Sequence, residues 1–585
     1  MGQNHRVEGA LTETVRVIPD VPSFAVDDGF VYSVPSSLTL GLGDIVRIPL
    51  GGRRVRGWVI GSGGAPGERR LRAVIGRSGD LPVFDSSMLS VMRWAAAHYV
   101  APMSAVLGKV TPPNLPKGRV APISVTRRGG QGSARLLVGA GPWTPTIADI
   151  ADDLVSAGES LIVVAPSWAE ASEIAEGLRR RFDDRVILGS SHIPAAALTR
   201  AWVRAATEPG LIIVGTRDVA WWRAPVVGGA IVVDDGRRGL KEKAMPTVHA
   251  RDLLAKRSTV ERWPLVVCGS VPTPEMVMRA ARVEPVGVGR PWGLVEVVDR
   301  RQDPPGTGLF GTVTVAAIRS AVGSGRRVFV LTHRRGGAQR CARCRELRLC
   351  VSCGSSPGTG PVCERCGVTA GVCAACGGGR FEPLGVGVPR LIVEVARVTG
   401  GDTVGAAAAD RQVIVGTERD LVGASVDLAV VADADGFIAA PNYRAGEDAL
   451  RIMARAVAAA GAGRGRRAVV QTMQPEHPVI DALVRADPVP YLRAEGKARS
   501  ALGFPPGAEV LVVEATGLDL ARIDELAHRV GPRGTVHGPS IESDRTRWYV
   551  QGRDLASARV VLRSLVGEWR EAGVRVRVDA DPIDL

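Results

Sequence analysis

The chain has 585 residues and a formal net charge of +14, from 74 Lys and Arg against 60 Asp and Glu. That length accommodates roughly three to five domains, and the cationic excess, mostly arginine, favours a polyanionic partner such as DNA or RNA. Aromatic residues at 4 % argue against extended base-stacking platforms, no apolar run reaches the ~18 residues of a membrane span, and Met1 to Val15 is polar, unlike a signal peptide, so a soluble cytoplasmic protein without membrane contact is expected.

Residues 1–118 read as a small β-rich domain ending in a helix. Short strand-like runs at 30–32, 44–48 and 57–60 are separated by Gly and Pro turns. A helix over 87–99 places Met88, Val91, Met92, Ala95 and Tyr99 on one apolar side. The loop Gly51-Gly52-Arg53-Arg54 either brings backbone amides and guanidinium groups to a phosphate or is an exposed basic hairpin. A Gly- and Arg-rich linker, 119–133, follows with Arg127 and Arg128.

From 134 to 300 apolar runs at 136–138, 161–164, 186–188, 211–214, 231–233 and 265–267 alternate with helical segments such as 170–181. Continuous apolar runs of this kind belong to a parallel sheet covered on both faces, with ligands at the carboxyl ends of its strands. A second α/β unit spans 301–340 and 388–484: a helix over 313–322, a strand at 328–331, then runs at 390–395, 412–415, 428–431 and 468–471. Residues 485–585 read as an α+β domain, with strands at 509–513, 547–551 and 574–578 and helices over 518–530 and 555–571.

The stretch 341–387, inserted in the second unit, holds eight of the nine cysteines as Cys341/Cys344, Cys350/Cys353, Cys363/Cys366 and Cys373/Cys376. Two Cys-x-x-Cys turns complete a tetrahedral S₄ set, so four pairs give two closed structural zinc sites with no open position for a catalytic water. A set of disulfides is the poorer account, because no secretory signal precedes it. Spacing suggests nesting: Cys350, Cys353, Cys363 and Cys366 on an inner zinc, and Cys341, Cys344, Cys373 and Cys376 on an outer one. Arg334, Arg335, Arg340, Arg343, Arg345, Arg348 and Arg365 surround the ligands, as a solvated basic face or as a surface for nucleic acid or protein.

Two α/β units in tandem around a four-knuckle insertion resemble the primosomal replication-restart (PriA) family of superfamily-2 helicases, nearly end to end. Gly215-Thr216-Arg217 is similar to its GTR motif, His249 to Leu253 to HARDLA, Gly269-Ser270 with Pro272 to GSATP, and Arg334-Arg335-Gly336 to RRG. Gly416-Thr417 resembles GTQ, Asp433 to Gly436 the D-x-DG segment, and Pro475 to Pro478 PEHP. Gly503 to Pro506 and Val578 to Pro582 resemble the family's carboxyl-terminal domain. The resemblance implies two RecA-like helicase lobes. It also implies binding of branched or stalled replication forks at single-strand/duplex junctions, and recruitment of machinery that reloads the replicative helicase. Other primosome proteins and single-strand-binding proteins are the implied partners. It further implies an amino-terminal domain for the 3′ end of a nascent strand, with Phe30, Tyr32, Gly51, Gly52, Arg53, Arg54 and Arg335 at DNA. Val31 replaces the carboxylate that contacts the terminal hydroxyl, so little preference for a free 3′ end is expected. The family's winged-helix domain has no counterpart in the fifteen-residue linker 119–133.

The motor motifs depart most. The stretch matching the G-x-x-x-x-G-K-[ST] phosphate loop is Gly139-Ala140-Gly141-Pro142-Trp143-Thr144-Pro145-Thr146, with Pro145 where Lys should stand. The DEEH box reads Asp234-Asp235-Gly236-Arg237, without its Glu. The arginines of QVAGRAGR fall at Ala459 and Ala462, or one survives as Arg464 in a shifted alignment. Asp234 and Asp235 are therefore expected as a solvated strand end. The chain reads as a helicase-derived DNA-binding scaffold that is not an enzyme. The alternatives are an ATP-dependent 3′→5′ helicase with an unorthodox site and a zinc-dependent protein adaptor.

Overall fold

The computed structural model describes residues 14–64, 71–117, 133–139, 141–287, 290–304, 306–332, 339–352, 357, 361–363, 368–383, 388–401, 404–406, 411–461, 466–542 and 544–583. The first sheet is antiparallel, in the order Phe30–Ser33, Thr14–Pro19, Arg53–Ser62, Ile45–Leu50, Gly76–Arg77. Leu50 lies opposite Arg53 across the turn Gly51-Gly52. Both glycines have positive φ, 54° and 77°, the backbone that a two-residue hairpin needs to match strand twist. The helix Ser86–His98 starts where the Asp85 carboxylate accepts the Met88 amide at 2.8 Å, and it buries Met88, Val91, Met92 and Ala95.

The second sheet has seven parallel strands, ordered Arg282–Pro285, Ala134–Val138, Leu265–Gly269, Val227–Val233, Ser160–Val164, Ile212–Gly215, Val186–Gly189. Ile162 and Val164 belong to one apolar cluster, Leu161 and Val163 to another. Alternate residues face opposite sides of a strand, so the sheet is covered on both faces. Each fully buried aliphatic side chain contributes about 1.5–3 kcal/mol.

The third sheet is also parallel: Val295–Asp299, Arg467–Thr472, Leu428–Val431, Val328–Leu331, Val413–Gly416, Val404–Ala406. It takes in Val295–Asp299, ahead of the boundary expected at 301. Residues 390–395, read among the strands, lie instead in the helix Val388–Thr399. The run is β-branched, but its contacts have helical spacing: Leu391 and Val395 are buried one turn apart, with Ile392 and Val398 against the same cluster.

Between the two halves of this sheet the Cys-rich insertion leaves and returns through the ribbon Gln339–Cys341 and Phe381–Pro383. The fourth sheet is antiparallel, Thr535–Glu542, Arg545–Gly552, Glu509–Thr516, Arg575–Ala580. The expected helix 518–530 is a single 3₁₀ turn, Leu520–Arg522, followed by the helix Glu525–Val530.

The end of the last strand and the residues after it tie the units together. Lys241, 5 % exposed, donates to the Ala580 and Asp581 carbonyls and pairs with Asp579 at 3.0 Å. His98 meets Asp581 at 3.0 Å, and the Tyr443 hydroxyl donates to the Pro582 carbonyl at 2.6 Å. None of the described helices is long and apolar enough to cross a membrane.

Candidate functional site

The outer cysteines converge. The Sγ atoms of Cys341, Cys344, Cys373 and Cys376 all lie within 4.8 Å of one another, and the pairs 341/376 and 344/373 are each 3.5 Å apart. Sulfurs around zinc at a Zn–S length of about 2.3 Å stand about 3.8 Å apart, whereas a disulfide requires about 2.05 Å. The donor set fits a tetrahedral metal ion. Each knuckle is a tight turn: the Arg345 amide donates to Cys341 O at 2.9 Å and the Gly377 amide to Cys373 O at 2.8 Å. A Cβ on Gly378 would lie 3.2 Å from the Cys341 sulfur and 3.4 Å from that of Cys376, so glycine there leaves room for the sulfurs. Of the inner set, Cys350 and Cys363 are both buried, at 2 % exposure. Cys353, Cys366 and Arg335 lie outside the described residues.

The basic rim is only partly a rim. Arg348 is buried, donates to Gln339 and the Ala370 carbonyl, and stacks over Phe381 at 4.3 Å. Arg345 donates to the carbonyls of Asp303 at 3.1 Å and Pro304 at 3.3 Å, anchoring the insertion. Arg340 pairs with Glu382 at 3.2 Å, and Arg343 is exposed. On the first sheet Gly51, Gly52, Arg53 and Arg54 are all exposed at the hairpin tip. Phe30 is 41 % exposed, whereas Tyr32 is buried and its hydroxyl donates to the Pro49 carbonyl at 3.2 Å.

At the carboxyl end of the second sheet the strand–loop–helix of a phosphate loop survives as a shape. Gly139 follows Ala134–Val138, and the helix Thr144–Ser156 begins with Pro145 in its first turn and Thr146 beside it. Trp143 is 9 % exposed. Its indole lies 3.4 Å from a Cβ placed on Gly139 and 3.5 Å from one on Gly141, so the ring fills the space beside the loop glycines. Pro145 removes an amide from the same helix start.

Asp234 and Asp235 are not a solvated strand end. Asp235 is fully buried, accepting from the Thr273 amide at 3.1 Å, from the Thr273 hydroxyl at 2.5 Å and from Arg251 at 3.1 Å. Asp234 sits at φ 50°, and burial is the main cause raising its carboxyl above the ordinary value. The expectation failed because Arg251 and Thr273 of the same unit close over Asp235, while Arg455 of the neighbouring unit lies near Asp234.

That seam holds residues the motifs did not single out. From the helix Ala445–Ala460, Arg451 donates to the Val271 carbonyl at 3.1 Å and pairs with Asp448 at 2.6 Å. A Cβ on Gly236 would lie 2.1 Å from its guanidinium carbon, so the missing DEEH glutamate is also the space Arg451 occupies. Arg237 pairs with Glu170 at 3.0 Å and Glu418 at 2.9 Å, and Arg455 with Glu418 at 2.7 Å and Glu170 at 3.5 Å. Arg444 reaches Glu275 at 2.6 Å. Two signals were available: Arg451 and Arg455 at helical i, i+4 spacing, and Glu418 where GTQ carries Gln.

Comparison with known proteins finds relatives along the chain. A family model described as the PriA 3′ DNA-binding domain matches residues 16–112. The probable replication restart protein PriA of Mycobacterium leprae is 26 % identical over 500 residues, covering 76 % of this chain and 76 % of that protein. Its Mycobacterium tuberculosis counterpart is 26 % identical over 429 residues, 67 % of this chain and 65 % of that one, just under two thirds of its length. The replication restart protein PriA of Treponema pallidum is 23 % identical, covering 98 % of this chain and 99 % of that one. Among solved structures, RecG bound to a three-way DNA junction aligns with a TM-score of 0.38 and 11 % identity, over 63 % of this chain and 44 % of that one. By sequence, this chain is similar to the replication restart proteins PriA over most of its length.

Proposed function

We propose that this chain is a replication-restart protein that binds branched DNA at stalled forks, helps recruit proteins that reload the replicative helicase, and does so without hydrolysing ATP. The observation that carries the reading is the match of residues 16–112 to a 3′ DNA-binding domain, on a sheet whose hairpin tip offers the exposed Arg53 and Arg54. Guanidinium groups there neutralise phosphates and release counterions, which makes binding salt-dependent. Val31, an apolar residue in place of a carboxylate, supports weak selectivity for a free 3′ hydroxyl.

Two zinc ions belong to this reading, one on Cys341, Cys344, Cys373 and Cys376, the other on Cys350, Cys353, Cys363 and Cys366. Bound there, zinc supplies a cross-link and no reaction chemistry, because four thiolates leave no open position. The Arg340 and Arg343 side of the module is the further surface for DNA or a partner protein.

Absence of turnover is supported by Pro145 in place of the phosphate-binding lysine, by the Trp143 indole beside the loop glycines, and by Arg451 seated over Gly236. Phosphoryl transfer rests on positioning and charge stabilisation, so it does not survive the removal of both. The test is a binding titration with fork and plain duplex DNA, run beside an ATPase assay on the same preparation. Tighter fork binding with no DNA-stimulated hydrolysis is expected. Robust hydrolysis abolished by Asp234→Ala would restore the helicase reading, and equal affinity for fork and duplex would favour the adaptor.

A further inference from the structure

We propose that Glu170 and Glu418 take the place of nucleotide phosphate as the anions shared between the two parallel-sheet units, so that their closed arrangement is built into the chain and needs no ligand. Arg237 and Glu170 come from the unit of the second sheet, Glu418 and Arg455 from that of the third. Each guanidinium touches one carboxylate of its own unit and one of the other. The four groups form a ring of alternating charge with two links across the seam. Their side chains are 12 %, 18 %, 28 % and 12 % exposed in the order Arg237, Glu170, Glu418, Arg455, so water screens them poorly.

The ring adjoins Asp234, whose carboxylate is 4.0 Å from Arg237. It therefore occupies the strand end at which a nucleotide-driven motor would hold metal and phosphate. In such a motor an arginine from one unit reaches the phosphate bound by the other, and closure depends on the ligand. Here the guanidinium forks of Arg237 and Arg455 at that strand end already face carboxylates, and a phosphate entering the seam would have to displace them. Two further links lie across the same seam, Arg451 to the Val271 carbonyl and Arg444 to Glu275. Removing one partner of a partly buried pair leaves the other charge poorly compensated, so the ring resists partial opening. The inference concerns closure alone and holds whether or not the chain binds forks.

Hydrogen–deuterium exchange of the full chain without DNA tests it, with Arg237→Met, the near-isosteric Glu418→Gln and their combination. In the wild type the first turn of Trp168–Phe182 and the turn Glu418–Leu421 should exchange slowly, unchanged by ATP with Mg²⁺ or by inorganic phosphate. Each single variant should speed exchange at both segments about tenfold or more, leave Ser160–Val164 and Leu428–Val431 protected, and the double variant should be no faster than the singles. Slowing of the wild-type segments by ATP or phosphate would overturn the proposal. So would unchanged exchange in both single variants, or loss of protection extending to the interior strands.

Discussion

The Cys-rich insertion and the seam between the parallel sheets are both places whose sequence motifs point to a charged ligand. In the insertion the ligand geometry is intact: four sulfurs face one another at metal-binding spacing, and Gly378 leaves room beside them. In the seam the protein has filled the space with its own side chains, Trp143 against the loop glycines and Arg451 over Gly236. The difference follows from what each ligand does. A structural metal supplies the folding energy of a segment too small for a core, so its ligands cannot be lost while the segment stays folded. A nucleotide supplies turnover, and two units with their own apolar cores remain folded without it.

The largest effect expected from testing this contrast is at the metal. Structural zinc contributes about 10–16 kcal/mol of apparent binding energy in small domains. Metal analysis should give two zinc ions per chain, and Cys341→Ser should lower the content to one. Backbone protection should then be lost in the ribbon Gln339–Cys341 while Val328–Leu331 stays protected. Retention of both metals in that variant would break the assignment of the outer site.

Asp235→Ala comes next, because it strands the Arg251 guanidinium and the Thr273 hydroxyl in a buried site. A loss of about 3–5 kcal/mol is expected, read as a lower denaturant midpoint. A surface-like loss under about 0.5 kcal/mol would return Asp235 to the solvated role. Gly236→Glu should cost about 1–3 kcal/mol by overpacking against Arg451 and should not produce ATP hydrolysis. Any gain of hydrolysis would mean that the seam reopens for nucleotide.

Replacing Arg53 and Arg54 by Ala should leave stability within about 0.5 kcal/mol and flatten the dependence of log K on log salt by about 0.9 for each phosphate no longer neutralised. An unchanged slope would remove the hairpin from the DNA interface. The smallest effect is a pH dependence at Glu418. Burial alone would raise its carboxyl, but Arg237, Arg455 and Arg451 outweigh burial and hold it below the ordinary value of about 4.5. A carboxylate depressed in the folded state contributes stability above the unfolded value, and that contribution is lost as pH falls through the folded one. The midpoint difference between wild type and Glu418→Gln should therefore be present at pH 7 and shrink as pH falls below about 4.5.

Much of the fold was legible because its signals are local. Runs such as 161–164 and 428–431 are continuous, apolar and bounded, and they are strands of the parallel sheets. Residues 390–395 misled for the same reason, since a β-branched run looks alike in either geometry and only the spacing of Leu391 and Val395 separates them. Edge strands such as Arg282–Pro285 and Thr535–Glu542 escaped notice because half the side chains of the first and nearly all those described in the second are exposed. The cysteine spacing located the outer sulfur cage, since metal geometry constrains ligands a fixed number of residues apart. The missing motor residues could be read position by position. What replaced them could not, because Glu170, Arg237, Glu418 and Arg455 stand far apart in the chain and meet only after both units fold. The burial of Asp235 was hidden likewise, since it depends on Arg251 and Thr273.

The ribbon formed by Gln339–Cys341 and Phe381–Pro383 brings the two ends of the insertion side by side. Seen from the third sheet, the whole insertion is then one closed loop hung between Val328–Leu331 and the helix Val388–Thr399. Closing a flexible loop becomes costlier only slowly with length, by about 0.6 kcal/mol per doubling. The insertion can therefore lengthen, shorten or diverge over evolutionary time without shifting the register of a single strand behind it. A segment attached this way is free to diverge while the sheet that carries it stays fixed.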